Sequence, residues 1–379
     1  MKKILITSTD VMMYLFLLPH VKYLIDNNYH VDIACSSAEG FKEERYDLFL
    51  RNNIPSNSKY FHLLAERSPY AIASNLKGYK QLSKIISEGE YDAVWTNEPV
   101  MSVITRLAAS KFRNKGLKLL YLCHGYHFFK GSPLGNWLFY PVEKIMARYS
   151  DVTVTINRVD YDFTKKYFCV PVKHINGIGL DVSKFKNTSV DFKIKRSELN
   201  IGANDFIILS VGELIPRKNQ EVIIKAVAIL NNPNIKYIIC GVGKRLEFLK
   251  SLTKSLKIEN SVQFIGLRND INEILKVSDI FAHPSKGEGL GIAPIEAMAA
   301  GLPLITSNVQ GIKDFSIDGK TGFSLDPNDI KGFAEAFKTL INDKKLRTSM
   351  GIYNKKVVEK YCIKNSTKDM ELIINELLA

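Results

Sequence analysis

The chain has 379 residues, 46% of them apolar and 24% charged, with a formal net charge of +13. That length gives two ordinary domains and a sizeable core, and the composition is that of a globular protein handled by water. The five cysteines (Cys35, Cys123, Cys169, Cys240 and Cys362) are scattered and form no CxxC pair, which argues against a disulfide framework or a zinc site and for thiols in a reducing compartment.

The basic excess is spread out. Residues 1–186 hold 25 Lys+Arg against 17 Asp+Glu, and the remainder holds 27 against 22. Such a balance fits a solvated basic surface, a phosphate-rich ligand or an anionic membrane face. There is no nucleic-acid module and no dense basic run, so nucleic acid is not an expected partner. The longest early apolar run, VMMYLFLLP, is too short to cross a bilayer.

Taken in chain order, KKILITS reads as a buried parallel strand, FLLPHVKYLIDNN as a helix with its turn, and VDIACS as a second strand. Further strands are predicted at YDAVWTN, LKLLYLCHG and DVTVTIN, with helical patterns between them. The rhythm restarts after Phe185. FIILSVGEL, IKYIICGVG, SVQFIGL, DIFAHPS, LPLITSN and GFSLD read as strands, separated by helical runs such as QEVIIKAVAIL, RLEFLKSLTKSL and INEILKVS. Strands alternating with helices predict parallel sheets covered on both faces, with right-handed crossovers. Two such series predict an α/β fold of two doubly wound, Rossmann-like domains facing a central cleft. The expected division is 1–178 for an N-terminal domain, 179–360 for a C-terminal one, and 361–379 for a closing helix, for which a return to the N-terminal domain is left open. Ligands of open parallel sheets bind beyond the carboxyl ends of the strands, so residues there are the first candidates for chemistry.

Four stretches meet that condition. KGEGLGIAPIEAMAAG, Lys286–Gly301, reads as a glycine-rich turn and a helix ended by Gly301, with Pro294 in its first turn. The amides of Gly289, Leu290 and Gly291 at a positive helix end suit an anion. Glu288 and Glu296 suit hydroxyl groups on either side of it, because one carboxylate accepts both donors of a vicinal diol. On spacing alone, Glu288 is equally a helix-start acid and Glu296 an exposed helix residue. VGELIPRKNQ presents Arg217 and Lys218 at a strand end, where a fork and a point charge suit a diphosphate; a loop Arg-Lys pair is also the pattern of a solvated turn. LYLCHGYHFFKGSP places His124 at a strand end and His127 just beyond, for a sugar hydroxyl or a leaving phosphate, or as plain loop histidines. The aromatic run Tyr126, Phe128, Phe129, Trp137, Phe139 and Tyr140 reads first as core, second as a membrane-touching or acceptor-lining surface. IDGKTGFSLDPND reads as scaffold.

Several motifs are missing. CGVGKRLEF is neither a phosphate loop nor a dinucleotide fingerprint, and there is no GxSxG elbow or HExxH. These absences weigh against hydride transfer, phosphate-loop hydrolysis and zinc chemistry.

In this order, the four stretches resemble glycosyltransferase family 4, retaining enzymes of the GT-B fold, and in particular bacterial members that build exopolysaccharide and capsule repeat units. EGLGIAPIE is similar to the family's two-glutamate motif and VGELIPRKNQ to its loop of two basic residues. HGYHFFKGSPLGNWLFYPVEK and TSTDVMMYLFLLPHVKYL resemble runs of the exopolysaccharide subgroup. The latter lacks the double glycine common elsewhere in the family. The resemblance implies that Arg217 and Lys218 bind the donor diphosphate, that Glu288 contacts donor sugar hydroxyls with Leu290 and Gly291 nearby, and that Glu296 holds the ribose. It implies His124 near the reacting sugar, with His127 the second choice, and the base beside Gly266, Leu267 and Arg268, largely on backbone groups. Asp10 and Asn157 are strand-end candidates for the acceptor side.

The expected activity is therefore transfer of a hexose or N-acetylhexosamine from a nucleotide-diphosphate sugar, uridine-linked, to a lipid-linked saccharide. No metal or other cofactor is expected. The expected location is the cytoplasmic side, peripheral at the anionic inner face of the membrane. Two alternatives stay open: a sugar-nucleotide epimerase of the same fold, and a non-catalytic sugar-nucleotide-binding subunit.

Overall fold

The computed structural model describes residues 1–9, 11–36 and 53–379, apart from the side chains of Val11 and Met12. The chain divides into two units. One is Met1–Gly179 together with Ile363–Ala379, and the other is Leu180–Cys362.

The N-terminal unit is built on β1 (Lys2–Ser8), β2 (Tyr29–Ser36), β3 (Tyr60–Leu63), β4 (Ala93–Asn97), β5 (Lys118–Cys123), β6 (Val152–Thr155) and β7 (Val172–His174), in the sheet order β3-β2-β1-β4-β5-β6-β7. The second unit is built on β8 (Phe206–Val211), β9 (Ile235–Cys240), β10 (Val262–Gly266), β11 (Ile280–His283), β12 (Leu304–Ser307) and β13 (Gly322–Leu325), ordered β10-β9-β8-β11-β12-β13. Pairing is parallel in both, from β1 on β2 to β12 on β13. The predicted strands are therefore present. Two that composition does not announce, YFHL at β3 and VKH at β7, form the edges of the first sheet. Both are short and carry a histidine among mixed neighbours, so they lack the apolar run that marks a buried strand.

Burial follows the apolar runs. β4 and β12 are buried along their whole length. Leu5, Val94, Leu119, Leu82 and Met101 pack one face of the first sheet against its helices. Ile208, Ile224, Tyr237, Phe333 and Phe337 do the same in the second. Both sheets reverse strand order beside their first strand: β1 lies between β2 and β4, and β8 between β9 and β11. In each sheet taken by itself, that reversal opens a crevice at the carboxyl ends of its own strands, the place where ligands of such sheets bind.

The last helix, Ile363–Leu378, belongs to the first unit. Ser366 donates from Oγ to the carbonyl of Gly177 at 2.8 Å and lies 3.1 Å from His20 Nε2. Tyr23 donates to Glu371 at 3.1 Å, and Lys173 pairs with Glu376 at 2.8 Å. A side chain at Gly179 would come within 2.6 Å of the Ile363 backbone, and Gly179 has φ +86°, so only glycine fits where the returning chain crosses.

Candidate active site

In the second unit, β8 ends at Val211 and the chain turns at Gly212, whose φ of 150° suits glycine. The single turn Pro216–Lys218 follows, and Asn219, in the left-handed region, closes it. Asparagine tolerates that conformation, and its amide donates to the carbonyls of Pro284 and Pro327, pinning the basic loop to the ends of β11 and β13. Lys218 Nζ lies 2.6 Å from Glu288 Oε2. Arg217 Nη1 reaches the same oxygen at 3.1 Å and donates to the carbonyl of Gly287 at 2.7 Å.

Glu288 stands on the turn after β11. Ser285 Oγ donates to it at 3.4 Å, and His283 Nε2 lies 3.4 Å from it. Burial alone would raise the pKa of this carboxyl. The hydrogen bond from His283 and the charges of Lys218 and Arg217 outweigh burial and hold the pKa well below the usual carboxylate range. Burial also pushes His283 down, towards the neutral imidazole, so the Lys218 ammonium is the cation we hold responsible for the ionised Glu288.

The turn leads into the helix Ile292–Ala300, with Pro294 in its first turn, Gly301 at its end with φ 89°, and no side chain capping its start. Gly291 has φ 90°, and a Cβ there would lie 3.2 Å from Glu288 Cγ. On the other side, a Cβ at Gly311 would fall 1.9 Å from the carbonyl oxygen of Gly289, while the Gly311 amide donates to the Glu288 carbonyl at 3.0 Å. The glycine turn is thus shaped by backbone in van der Waals contact, a constraint that no local pattern around Gly311 announces. Glu296 sits half-buried inside the helix; burial, slightly offset by Lys184, raises its pKa to about 7.

At the sheet edge, Gly266 ends β10 with φ 68°, and its carbonyl accepts from the amide of Gly241 at 2.8 Å. Leu267 is exposed. The Arg268 guanidinium is held by Asp270 at 2.6 and 2.8 Å and also pairs with Glu198, so its side chain is committed to carboxylates of its own unit. The guanidinium is thus engaged, and the backbone of this turn is the part left to meet a ligand.

The first unit presents a different strand-end group. His124 follows β5, with Nε2 3.1 Å from Asn97 Oδ1. Asn97 donates its amide to the Thr7 carbonyl at 3.0 Å, and its Oδ1 accepts from Trp95 Nε1 at 3.2 Å. Those two bonds fix the amide orientation, so Nε2 of His124 carries the proton and Nδ1 is the acceptor. Burial pushes the His124 pKa down to about 4, which keeps the ring neutral at neutral pH. His127 is exposed and sits edge-on against Phe139 at 5.8 Å. Asn157 caps the helix Arg158–Tyr167: its oxygen accepts from the Asp160 amide at 2.8 Å and its amide donates to the Asp160 carboxylate at 2.7 Å. Both ends of that side chain thus take part in the cap, and each keeps capacity for a second hydrogen bond. Asp10 lies outside the described residues.

Three strand-end features escaped sequence reasoning. His283 and Ser285, the last residues of DIFAHPS, stand against Glu288, and the strand-end rule applied to that stretch would have singled them out. Glu98 ends YDAVWTNE. Its backbone is strained at φ 62°, ψ 148°, and its carboxylate accepts from both the amide and the hydroxyl of Thr9 at 2.6 Å.

Comparison with known proteins agrees with this layout. Residues 191–357 match the family described as glycosyl transferases group 1, and residues 3–157 the family described as glycosyl transferase 4-like. EpsD of Bacillus subtilis (strain 168), assigned as a glycosyltransferase, is 32% identical over 97% of this chain and 95% of its own length. The UDP-Gal:alpha-D-GlcNAc-diphosphoundecaprenol alpha-1,3-galactosyltransferase of Escherichia coli is 28% identical over 80% of this chain and 81% of its own. The crystal structure of Anabaena HepE with UDP and glucose superposes with a TM-score of 0.82 at 21% identity, covering 99% of this chain and all of that one. With a relative 32% identical over 97% of the chain, two parallel doubly wound sheets and strand-end groups in both, the chain belongs to the group 1, family 4-like glycosyltransferases and is a glycosyltransferase of the GT-B fold.

Proposed function

We propose that the chain is a retaining transferase that moves a hexose or N-acetylhexosamine from a UDP-sugar to a lipid-linked saccharide, in exopolysaccharide, capsule or related surface-glycan synthesis. The observation that carries this reading is the convergence of Lys218 and Arg217 on one oxygen of Glu288 beside an uncapped helix start. Two cations and a helix N-terminus form a site for a dianion, and without ligand the Glu288 carboxylate occupies their attention. An arriving diphosphate takes over Lys218 and Arg217. Glu288 is thereby released to accept hydroxyls of the donor sugar, and Glu296 accepts the ribose pair. The E. coli relative, named for a UDP-sugar donor and a diphosphoundecaprenol acceptor, supports the choice of UDP and of a lipid-linked acceptor. Such an acceptor keeps the enzyme at the anionic inner face of the membrane.

In this reading the bond from the anomeric carbon to the phosphate oxygen breaks as charge builds on the leaving UDP. The acceptor oxygen bonds to the same face of that carbon, and its proton passes to the departing phosphate oxygen. Lys218 and Arg217 stabilise the developing charge in a partly buried site, where a fixed cation is worth most. His124, neutral, offers an acceptor to a sugar hydroxyl. The reading requires no metal, because the side chains supply the positive charge.

The test is thermal protection by a panel of UDP-sugars, followed by transfer to a diphosphate-linked polyprenyl saccharide with the anomeric configuration read by NMR. We expect one UDP-sugar to raise the unfolding temperature and its sugar to appear α-linked in the product. Conversion of the donor without acceptor would establish the epimerase instead, and protection without transfer to any acceptor would establish a binding subunit. An inverted product would remove the same-face step.

A further inference from the structure

Four side chains meet one oxygen of Glu288. Lys218 Nζ stands 2.6 Å from Oε2 and Arg217 Nη1 3.1 Å, while Ser285 Oγ and His283 Nε2 each stand 3.4 Å from the same atom. Oε1 has no hydrogen-bond partner among the described residues, and the side chain keeps 13% of its surface open. The carboxylate is thus gripped through one oxygen and open at the other.

The four groups differ in what carries them. Lys218 and Arg217 come from the turn after β8, bear full charge and suit an arriving diphosphate. His283 and Ser285 belong to the same strand end and turn as Glu288 itself. His283 ends β11 buried, with its ring nearly parallel to that of Phe281, 6.4 Å between centres and 17° between planes. From there to Glu288 the backbone is tied down. The Pro284 carbonyl accepts from Asn219 at 3.1 Å, and that of Ser285 accepts from the Ser307 hydroxyl. The Lys286 amide donates to the Arg217 carbonyl at 2.8 Å, and the Glu288 carbonyl accepts from the Gly311 amide at 3.0 Å. His283, Ser285 and Glu288 therefore keep their places relative to one another.

Proton counting orders the three. An ionised carboxylate only accepts, so the single Ser285 hydroxyl proton points to Glu288. Ser285 Oγ is then the acceptor for His283 Nε2, 3.2 Å away, which makes Nε2 the protonated nitrogen. This is not the order of a hydrolytic Ser-His-acid triad, where the imidazole takes the serine proton and donates to the acid through its other nitrogen. Here serine and glutamate share one imidazole nitrogen and the hydroxyl proton faces the acid. Burial holds the His283 pKa below its usual value, so the ring donates to Glu288 without cancelling the charge that accepts hydroxyls.

We propose that His283 and Ser285 are positioning residues for the donor sugar: they keep hold of Glu288 through Oε2 when a diphosphate draws Lys218 and Arg217 away, which leaves Oε1 open to the sugar hydroxyls. The proposal rests on the reading of Lys218 and Arg217 as the diphosphate site. Without this second grip, a carboxylate that loses both cations gains rotamer freedom, and the sugar must order it again on binding. In the unliganded chain Lys218 has the closer claim on Oε2, and the two 3.4 Å separations shorten as it leaves.

The test compares UDP with the UDP-sugar that protects the full chain from unfolding, each Kd taken by calorimetry. We expect His283→Leu and Ser285→Ala each to weaken the UDP-sugar about tenfold or more and UDP less than about threefold, because only the sugar meets Glu288. His283→Gln, which keeps an N–H donor near the place of Nε2, should recover most of the loss. A donor lacking the hydroxyl that Glu288 accepts, recognised as the deoxy-sugar whose binding Glu288→Gln leaves unchanged, should be indifferent to His283→Leu. A residue that merely fills space would weaken UDP and UDP-sugar alike. That result would overturn the proposal, and so would unchanged binding of both by the folded variants. The ligand-free chain supplies a second readout. Long-range proton–nitrogen correlation spectra should show His283 protonated at Nε2, with that proton moving downfield in Lys218→Ala as its hydrogen bond shortens, and shifting again in Ser285→Ala. A ring protonated at Nδ1, or one blind to both substitutions, would overturn the proposal without any sugar nucleotide. If no UDP-sugar binds while His283 responds to Lys218→Ala, the hold on Glu288 stands and the choice of donor alone falls.

Discussion

The two sheets end in opposite chemistries. At the carboxyl edge of the second, full charges meet: Lys218 and Arg217 on Glu288, with Glu296 held near neutrality by burial. At the edge of the first, a web of hydroxyls and amides runs from Thr7 to Thr96 at 2.9 Å, to Thr105 at 3.0 Å and through Asn97 to His124, with the Glu98 carboxylate accepting from Thr9 beside it. On the proposed function, the contrast follows from what each edge would hold. A diphosphate needs cations that lose little when it leaves and returns, so they wait on a carboxylate of their own unit. A sugar hydroxyl needs neutral, oriented partners, which a rigid hydrogen-bonded web supplies at no cost in net charge. Elsewhere in the first unit, between the helices Pro99–Arg113 and Phe139–Ala147, lies a buried ion pair. There Arg106 donates to Glu143 and Ser102 and lies 4.4 Å from the centre of the Tyr121 ring.

Breaking each charge cluster should therefore have opposite consequences. Arg106→Ala leaves Glu143 buried and unpaired and should destabilise the first unit by about 3–5 kcal/mol in denaturant unfolding. Arg106→Met with Glu143→Gln should recover most of that loss, since the buried charge is gone. UDP binding by the folded protein should be unchanged in both. A loss below about 1 kcal/mol for Arg106→Ala would show that water reaches Glu143. Lys218→Ala is the mirror case. It should lower turnover by at least two orders of magnitude, about 3 kcal/mol, with the chain still folded by circular dichroism. A near-normal rate would take Lys218 out of the reaction and dissolve the contrast between the two edges.

The asymmetry also explains what could be read from the sequence. The charged edge was legible because each part is contiguous: VGELIPRKNQ and KGEGLGIAPIE are local strings in which a strand end, a turn and a helix start dictate where the side chains go. The hydrogen-bonded edge was not, because its members come from β1, β4, the helix after β4 and β5, and no string announces that Thr7, Asn97, Thr105 and His124 meet. Asn157 shows how one residue can carry two readings: the strand-end position suggests a ligand contact, and its place before RVDYDF also permits the helix N-cap it makes to the Asp160 amide. β3 and β7 were missed for a related reason, since edge strands bury only part of their surface and need no apolar run.

The smallest expected effect probes whether Glu296 binds as a carboxylate. Its pKa is about 7 in the unliganded chain, raised by burial. Hydroxyl donors of a ribose prefer the ionised form, so binding should lower that pKa and release a proton below pH 7. The sign follows: affinity is independent of pH well above 7, and as pH falls through 7 the ligand must first drive off a proton, weakening binding by up to tenfold per pH unit. UDP-glucose suits the measurement because its diphosphate stays doubly ionised between pH 8 and 6. Glu288, with its pKa held far below this window, stays charged throughout and adds no slope. Between pH 8 and 6 we expect the Kd from calorimetry to rise about tenfold, with proton release at pH 6.5 shown by a buffer-dependent heat. Glu296→Gln should bind more weakly at pH 8 and lose the slope. A slope that survives in Glu296→Gln would assign the titrating group elsewhere, and a flat profile in the unaltered chain would show that Glu296 does not touch the nucleotide.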